Sequence, residues 1–386
     1  MNSEPAPLWS PPTQEEMQLR LDKVRVLMAR EELDYYVAAG TDNIYYLTNF
    51  AYTPWERPFF LIIPAHRRPY LVVPLLELNH AEERVVLDLD IRTYAEYPAP
   101  ADNSFAAALK DLLPEDQRVG LESSLSLAVE RVMPGRRVVV DVVDEARLVK
   151  TPYEIGRIAY TSMVLDEGWA EVVKALKVGA GVRSLAGARG RTMMARISRD
   201  MPHLNALVSR LNLMVWPGAL SAQPHSVPGL QEVLSEGGPH VVILGGRADG
   251  YAAELERTFF LNEVPHEAEE PFEVMLEART RAFELVKPGV RAAEVDAAVL
   301  DLLRKRGYQD RVLHRTGHGL GVTAHEPPWI AVGGGHVLEE GMVISIEPGV
   351  YLPGMGGFRH SDTVLVTQRG CLALTQSPDL LDDLIY

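Results

Sequence analysis

The chain has 386 residues, 47% apolar and 24% charged, with a formal net charge of −15. Such a length and composition describe a globular protein of two or three domains with room for a large core. The acidic balance argues against nucleic acid and anionic membrane surfaces as partners, and the single cysteine, Cys371, excludes an internal disulfide framework and any cysteine-built zinc site.

The opening MNSEPAPLWSPPTQEE lacks a basic region followed by an apolar run, so no signal peptide is expected. No stretch approaches the ~18 uncharged apolar residues of a membrane span, and a cytoplasmic location follows as the expectation. Residues 1–13 read as a loose tail rich in proline and polar groups. Residues 15–33 have Leu, Val and Met at helical spacing with charges between them, which predicts an amphipathic helix. Strand-like runs YYVAAG, FFLIIP and YLVVP follow, mixed with the helical stretch FAAALKDLLP. Residues 136–162 read as a strand switching into a long helix, with Pro152 suited to its first turn. A domain boundary is placed near residue 150, giving domains of residues 1–150 and 151–386.

The second part opens with helices, then strand runs LMVWPG, HVVILGG and ELERTFFL. Two more helices are predicted in PFEVMLEARTRAFELVKPG and VRAAEVDAAVLDLLRKRG, the second ended by Gly307. MVISIEPGVYL and DTVLVT read as late strands. Helices and strands in mixed order predict an α+β fold.

Four clusters carry chemistry: PHSVPG (224–229), GYAAELERTFF (250–260), HRTGHGLGVTAHEPP (314–328) and ISIEPGVYLPGMGGFRHSDTVLV (344–366). Five of the eleven histidines lie in them, at 225, 314, 318, 325 and 360. Histidine carries protons near neutral pH and ligates metals, although a single histidine is most often a hydrogen-bonded structural residue. Gly317, Gly319 and Gly321 permit close backbone approach around His318. Glu254 and Glu256 stand two apart on a strand, so they share one face. Two buried carboxylates repel, so a bound cation or a raised pKa must compensate. A solvated strand edge is the plainer alternative.

The four clusters, in this order and spacing, resemble the pita-bread family of creatinases, prolidases, aminopeptidases P and methionine aminopeptidases. The resemblance implies a mixed α/β N-terminal domain, a pita-bread C-terminal domain with an antiparallel sheet, and a homodimer. Peptidases of the family hold two metal ions with Asp, Asp, His, Glu and Glu. These positions fall on Leu244 (with Ile243 as the one-residue alternative), Glu254, His318, Glu347 and Ser361. Two ligands are thus missing and one is altered.

The metal-free creatinase branch is the closer likeness through GY–x–x–x–LERT–x–F, which supplies Glu256. That likeness implies that Glu256 and Glu347 bind a cationic group and that His225 shuttles a proton. It also implies that Trp55 and Arg57, within residues 43–63, reach a partner's active site and hold a substrate carboxylate. A further arginine of the creatinase site falls near Trp329. The expectation is therefore a metal-independent C–N hydrolase for a small substrate with a carboxylate and a cationic nitrogen group. His318 and His325 would stabilise its intermediate, and Glu254, Ser361 and His360 would complete the pocket. The alternative is an Xaa-Pro dipeptidase or aminopeptidase P, with one Mn, Co or Zn ion on Glu254, His318 and Glu347. A non-catalytic binding member is the third reading.

Overall fold

A computed structural model describes residues 5–53 and 55–386. The chain forms two compact units: Pro11–Arg147, and the residues up to Ser10 together with Leu148–Tyr386.

The first unit is built on a six-stranded mixed sheet. Its strands are β1 (Tyr35–Ala38), β2 (Phe60–Pro64), β3 (Tyr70–Pro74), β4 (Asp90–Tyr94), β5 (Arg118–Leu121) and β6 (Arg136–Val139), in the spatial order β4-β3-β2-β1-β5-β6. β2 lies antiparallel to β1 and β3, whereas β3–β4, β1–β5 and β5–β6 are parallel. Its core gathers Val37, Phe60, Ile62, Val72, Val119 and Leu121. The predicted helix 15–33 runs from Gln14 to Arg30 and starts where the Thr13 side chain accepts from the Glu16 amide at 3.3 Å.

The second unit carries an eight-stranded sheet. The strands of this unit are β7 (Arg210–Trp216), β8 (Gly237–Ala248), β9 (Tyr251–Leu261), β10 (Gly317–Gly319), β11 (Glu326–Ile330), β12 (Val343–Ile346), β13 (Gly349–Leu352), β14 (Gly356–Arg359), β15 (Ser361–Thr367) and β16 (Gly370–Ala373), all but β13 and β14 in the sheet. The main path runs β11-β10-β12-β15-β9-β8-β7, with β16 beside β15, while β13 and β14 form a separate antiparallel pair. All pairings of the sheet are antiparallel. The α+β expectation holds in both units.

Helices cover one face of this sheet. Helix Pro152–Val173 begins with a full capping box: Thr151 accepts from the Glu154 amide, and Glu154 accepts from the Thr151 amide. Its buried face includes Val164, Leu165, Trp169 and Val172, which join Leu244, Leu255, Phe259 and Phe272 in the main core. Helix Ala292–Lys305 stops before Gly307, whose φ of +86° supplies the left-handed turn. The run MVISIEPGVYL is two strands rather than one, parted at Glu347 and Pro348.

Of the loose tail expected over residues 1–13, the first four lie outside the described residues. Residues 5–10 dock on helix Pro152–Val173. The Leu8 amide donates to the Gly156 carbonyl at 2.9 Å, Tyr153 and Arg157 donate to the Ser10 carbonyl, and Trp9 lies 5.8 Å from Tyr160.

Candidate functional site

Cross-strand register decides which side chains meet, because residues directly opposite one another share a face. Glu256 on β9 stands opposite Ile243 on β8 and Ser361 on β15. Leu255 stands opposite Leu244 and Asp362. Glu254, Glu256, Ile243 and Ser361 therefore share one face, and Leu244, Leu255 and Asp362 share the helix-covered other. Ser345 pairs with Thr363, which brings the end of β12, and Glu347 just beyond it, to the first face. His318 joins them from β10, where it stands opposite Trp329 on β11. The position that sequence comparison assigned to Leu244 thus corresponds in space to Ile243, since Leu244 is fully buried in the main core.

The resulting cluster is acidic and enclosed. Glu254 is 7% exposed, Glu256 1%, Glu347 9% and His318 0%. The Ser361 hydroxyl donates to Glu254 Oε1 at 2.7 Å, and the Ser345 hydroxyl donates to Glu347 Oε1 at 3.4 Å. His318 Nδ1 donates to the Gly319 carbonyl at 3.0 Å, which turns Nε2 toward Glu347 Oε1, 3.1 Å away. Glu256 forms an ion pair with Arg359. The His325 ring stacks on His318 with centroids 3.9 Å apart. Ligand atoms of Glu254, His318 and His325 lie within 4.8 Å of one another, as do those of Glu254, Glu256 and Glu347.

Glycines make this convergence possible. A Cβ on Gly317 would sit 2.0 Å from the Ser345 carbonyl oxygen, and one on Gly319 would sit 2.2 Å from that of Pro327. Only glycine lets the backbone around His318 pass this close to its neighbours on both sides.

Burial and mutual repulsion set the charges. Burial raises the pKa of Glu254, and the Glu347 charge adds to the effect against His318 and Ser361. Glu256 rises well above the usual range through burial, with Arg359 opposing. For Glu347 burial is outweighed by the contact with and charge of His318, aided by His314 and Arg359, and its carboxyl falls to about 2. Burial acts to lower His318, yet Glu347 and Glu254 outweigh it and the net shift is upward. The carboxylates thus draw positive charge, whether proton or metal ion, to the His318 ring. His325 falls to about 4 through burial and the neighbouring His318.

The remaining expected site residues are spread more widely. His225 is exposed on the loop between β7 and β8, close enough for its charge to lower the pKa of His314 and His325. His360 does not line the cluster. It lies on the opposite side of the sheet from Ser361, fully buried, with Phe272 of helix His266–Leu285 at 5.3 Å. Trp55 and Arg57 belong to the other unit, where Trp55 is 78% exposed and Arg57 pairs with Glu56 and Glu96. Three residues of the site were missed from sequence: Arg359, Arg315, and Tyr351, whose hydroxyl meets His314 Nε2 at 2.7 Å. Arg315 and Arg359 stand inside the quoted motifs, but neither spacing nor composition says what they pair with.

With the geometry in hand, the relatives are informative. The pattern described as "Metallopeptidase family M24" matches residues 158–368, and "Creatinase/Prolidase N-terminal domain" matches residues 20–149. The chain belongs to metallopeptidase family M24. The Xaa-Pro dipeptidase of Pyrococcus furiosus is 30% identical over 94% of this chain and 99% of its own length. Among solved structures, the prolidase of Pyrococcus horikoshii OT3 superposes with a TM-score of 0.82 at 26% identity, covering 94% of this chain and 99% of that one. Dipeptidase PepE of Mycobacterium ulcerans gives 0.85 at 26%, covering 97% and 99%.

These findings overturn the expectation of a metal-independent, creatinase-like amidine hydrolase. The relatives named above, which match this M24 chain over nearly its full length, are an Xaa-Pro dipeptidase, a prolidase and a dipeptidase, and the family is one of metallopeptidases. The likeness of Glu256 to a creatinase glutamate misled because a single buried carboxylate carries less information than the whole chain. In this structure Glu256 is paired with Arg359. The residues present suit an ion: ligand atoms of Glu254, His318 and His325 lie within 4.8 Å of one another, and His318 Nε2 faces the Glu347 carboxylate. They do not suit a bridged pair of ions, which needs further anionic oxygens where this chain has Ile243 and Ser361.

Proposed function

We propose that the chain is a one-metal dipeptidase for Xaa-Pro substrates, working as a homodimer in the cytoplasm. The observation that carries the reading is that Glu254 converges with His318 and His325 on one side and with Glu256 and Glu347 on the other, with His318 Nε2 3.1 Å from Glu347 Oε1, on a scaffold similar over nearly its full length to an Xaa-Pro dipeptidase. Glu254, His318 and Glu347 would hold one Mn, Co or Zn ion. When bound, such an ion polarises the scissile carbonyl and lowers the pKa of water.

The chain's own residues prepare the rest. Ser361 fixes one oxygen of Glu254, and Gly319 fixes the His318 tautomer with Nε2 facing the cluster. Ser345 steadies Glu347, whose lowered pKa keeps it anionic. Arg359 holds Glu256 and takes up negative charge where a second ion would otherwise be needed. His325, neutral near pH 7, accepts or returns a proton at its free ring nitrogen. His225, on its exposed loop, serves as the route by which that proton reaches solvent.

Metal analysis and a substrate screen test the reading together. Purified protein is expected to bind one ion per chain and to cleave Ala-Pro. A chelator abolishes the cleavage, and added Mn²⁺, Co²⁺ or Zn²⁺ restores it. Absence of Xaa-Pro cleavage with every ion, or two ions per chain at saturation, would overturn it.

A further inference from the structure

Resting on the dipeptidase reading, we infer that Arg315, propped on Trp329, receives the C-terminal carboxylate of the substrate.

A dipeptide brings a carboxylate close to its own scissile bond. Around the cluster that carboxylate meets Glu254, Glu256 and Glu347, all of the same sign. It needs a cation that is near the site and not already committed. Arg359 is near but committed to Glu256 and almost fully buried, at 5% exposure. Arg315 is the other candidate. It lies three residues before His318, and Trp329 stands directly opposite His318 in the β10–β11 register, so Trp329 is on the His318 side of the sheet. The Arg315 guanidinium carbon sits 4.6 Å from the centroid of the Trp329 ring. Its Nε donates to the Gly317 carbonyl at 3.1 Å. Backbone and ring together fix the plane of the guanidinium.

Among the described residues, Arg315 has no ion pair and is half-buried. Among the described residues its Nη groups donate no hydrogen bond, and Nε alone is engaged. A planar guanidinium with two free donors matches a carboxylate in a two-point contact. A fixed cation beside the site selects short substrates, because a longer peptide puts an uncharged amide where the carboxylate belongs.

The test uses the metal-loaded protein, two substrates and two ligands. Kinetics compare Ala-Pro with Ala-prolinamide; calorimetry compares L-proline with L-prolinamide, which need no turnover. The wild type is expected to favour each free acid by about tenfold to a hundredfold. Arg315→Ala removes that preference mainly through KM and proline affinity, with the amides unaffected, while Arg315→Lys restores part of it. Trp329→Ala gives a smaller loss in the same direction. Circular dichroism and metal content of the variants are expected to match the wild type. Equal binding of acid and amide by the wild type overturns the inference. So does a preference that survives in Arg315→Ala, the result expected if Arg57 of a second copy holds the carboxylate instead. A proline preference that depends on Arg315, without Xaa-Pro cleavage under any ion, leaves the inference standing and sinks the dipeptidase reading alone.

Discussion

On the proposed one-metal reading, one aliphatic and one hydroxyl side chain set the limit of the metal centre. Ile243 and Ser361 flank Glu256 across two strand pairings, where carboxylates would be required to bridge a second ion. Restoring them should restore the capacity. Ile243→Asp combined with Ser361→Glu and Glu256→Thr is expected to raise bound Mn²⁺ from one to two per chain, read by calorimetry and elemental analysis. Stoichiometry that stays at one would show that something other than these three side chains excludes the second ion. At this scale the sequence was partly legible. His318, Glu347 and Glu254 were singled out through the family resemblance, and in the structure Glu254 lies near each of the other two. Ile243 was confused with Leu244, and His360 was placed in the pocket, because a shift of one residue along a strand reverses the face. Only the pairings of β8, β9 and β15 settle that parity.

Elements fared better than faces. Helix Pro152–Val173 was readable because Thr151, Pro152 and Glu154 form a local start signal that needs no distant partner. The break between β12 and β13 was not, since Glu347 and Pro348 leave the strand to follow the cluster, a tertiary demand. Strand β8 contains another such demand in His240. It is fully buried; its Nδ1 accepts from the Gly218 amide and its Nε2 donates to the Ser235 carbonyl, both at 3.0 Å. Burial lowers its pKa to about 4, with the Ser235 bond opposing. The unfolded chain, with histidine near ~6.5, binds the proton more readily. Stability from this group is therefore complete above pH ~6.5 and is lost as pH falls toward 4, by about 3 kcal/mol in total. Denaturant unfolding at pH 7.0 and 4.5 should show a loss roughly 2 kcal/mol smaller in His240→Gln than in the wild type. An identical loss in both proteins would assign the acid sensitivity elsewhere.

For the whole molecule, the change of pattern suggested a boundary near residue 150, while the compact units are Pro11–Arg147 and a second one that includes the residues up to Ser10, an affiliation composition did not reveal. Proline and polar composition suggested a tail, whereas Leu8, Trp9 and Ser10 bind helix Pro152–Val173 through three hydrogen bonds and one aromatic contact. Gly156 is matched to this docking: a Cβ there would lie 2.9 Å from Leu8 Cβ. Removing residues 1–10 is expected to lower the melting temperature by a few degrees, as about 1–2 kcal/mol of burial and hydrogen bonding would. An unchanged melting temperature would mean that the docking contributes nothing.

The order of the chain through its units has a practical side. The polypeptide starts on the catalytic half, departs for Pro11–Arg147, and comes back at Leu148. The two halves are thus sewn together at two points. A protease that severs only the return thread leaves the pieces held by the opening stitch, and a fluorophore attached beside Trp9 reports on the catalytic half despite standing at the front of the chain.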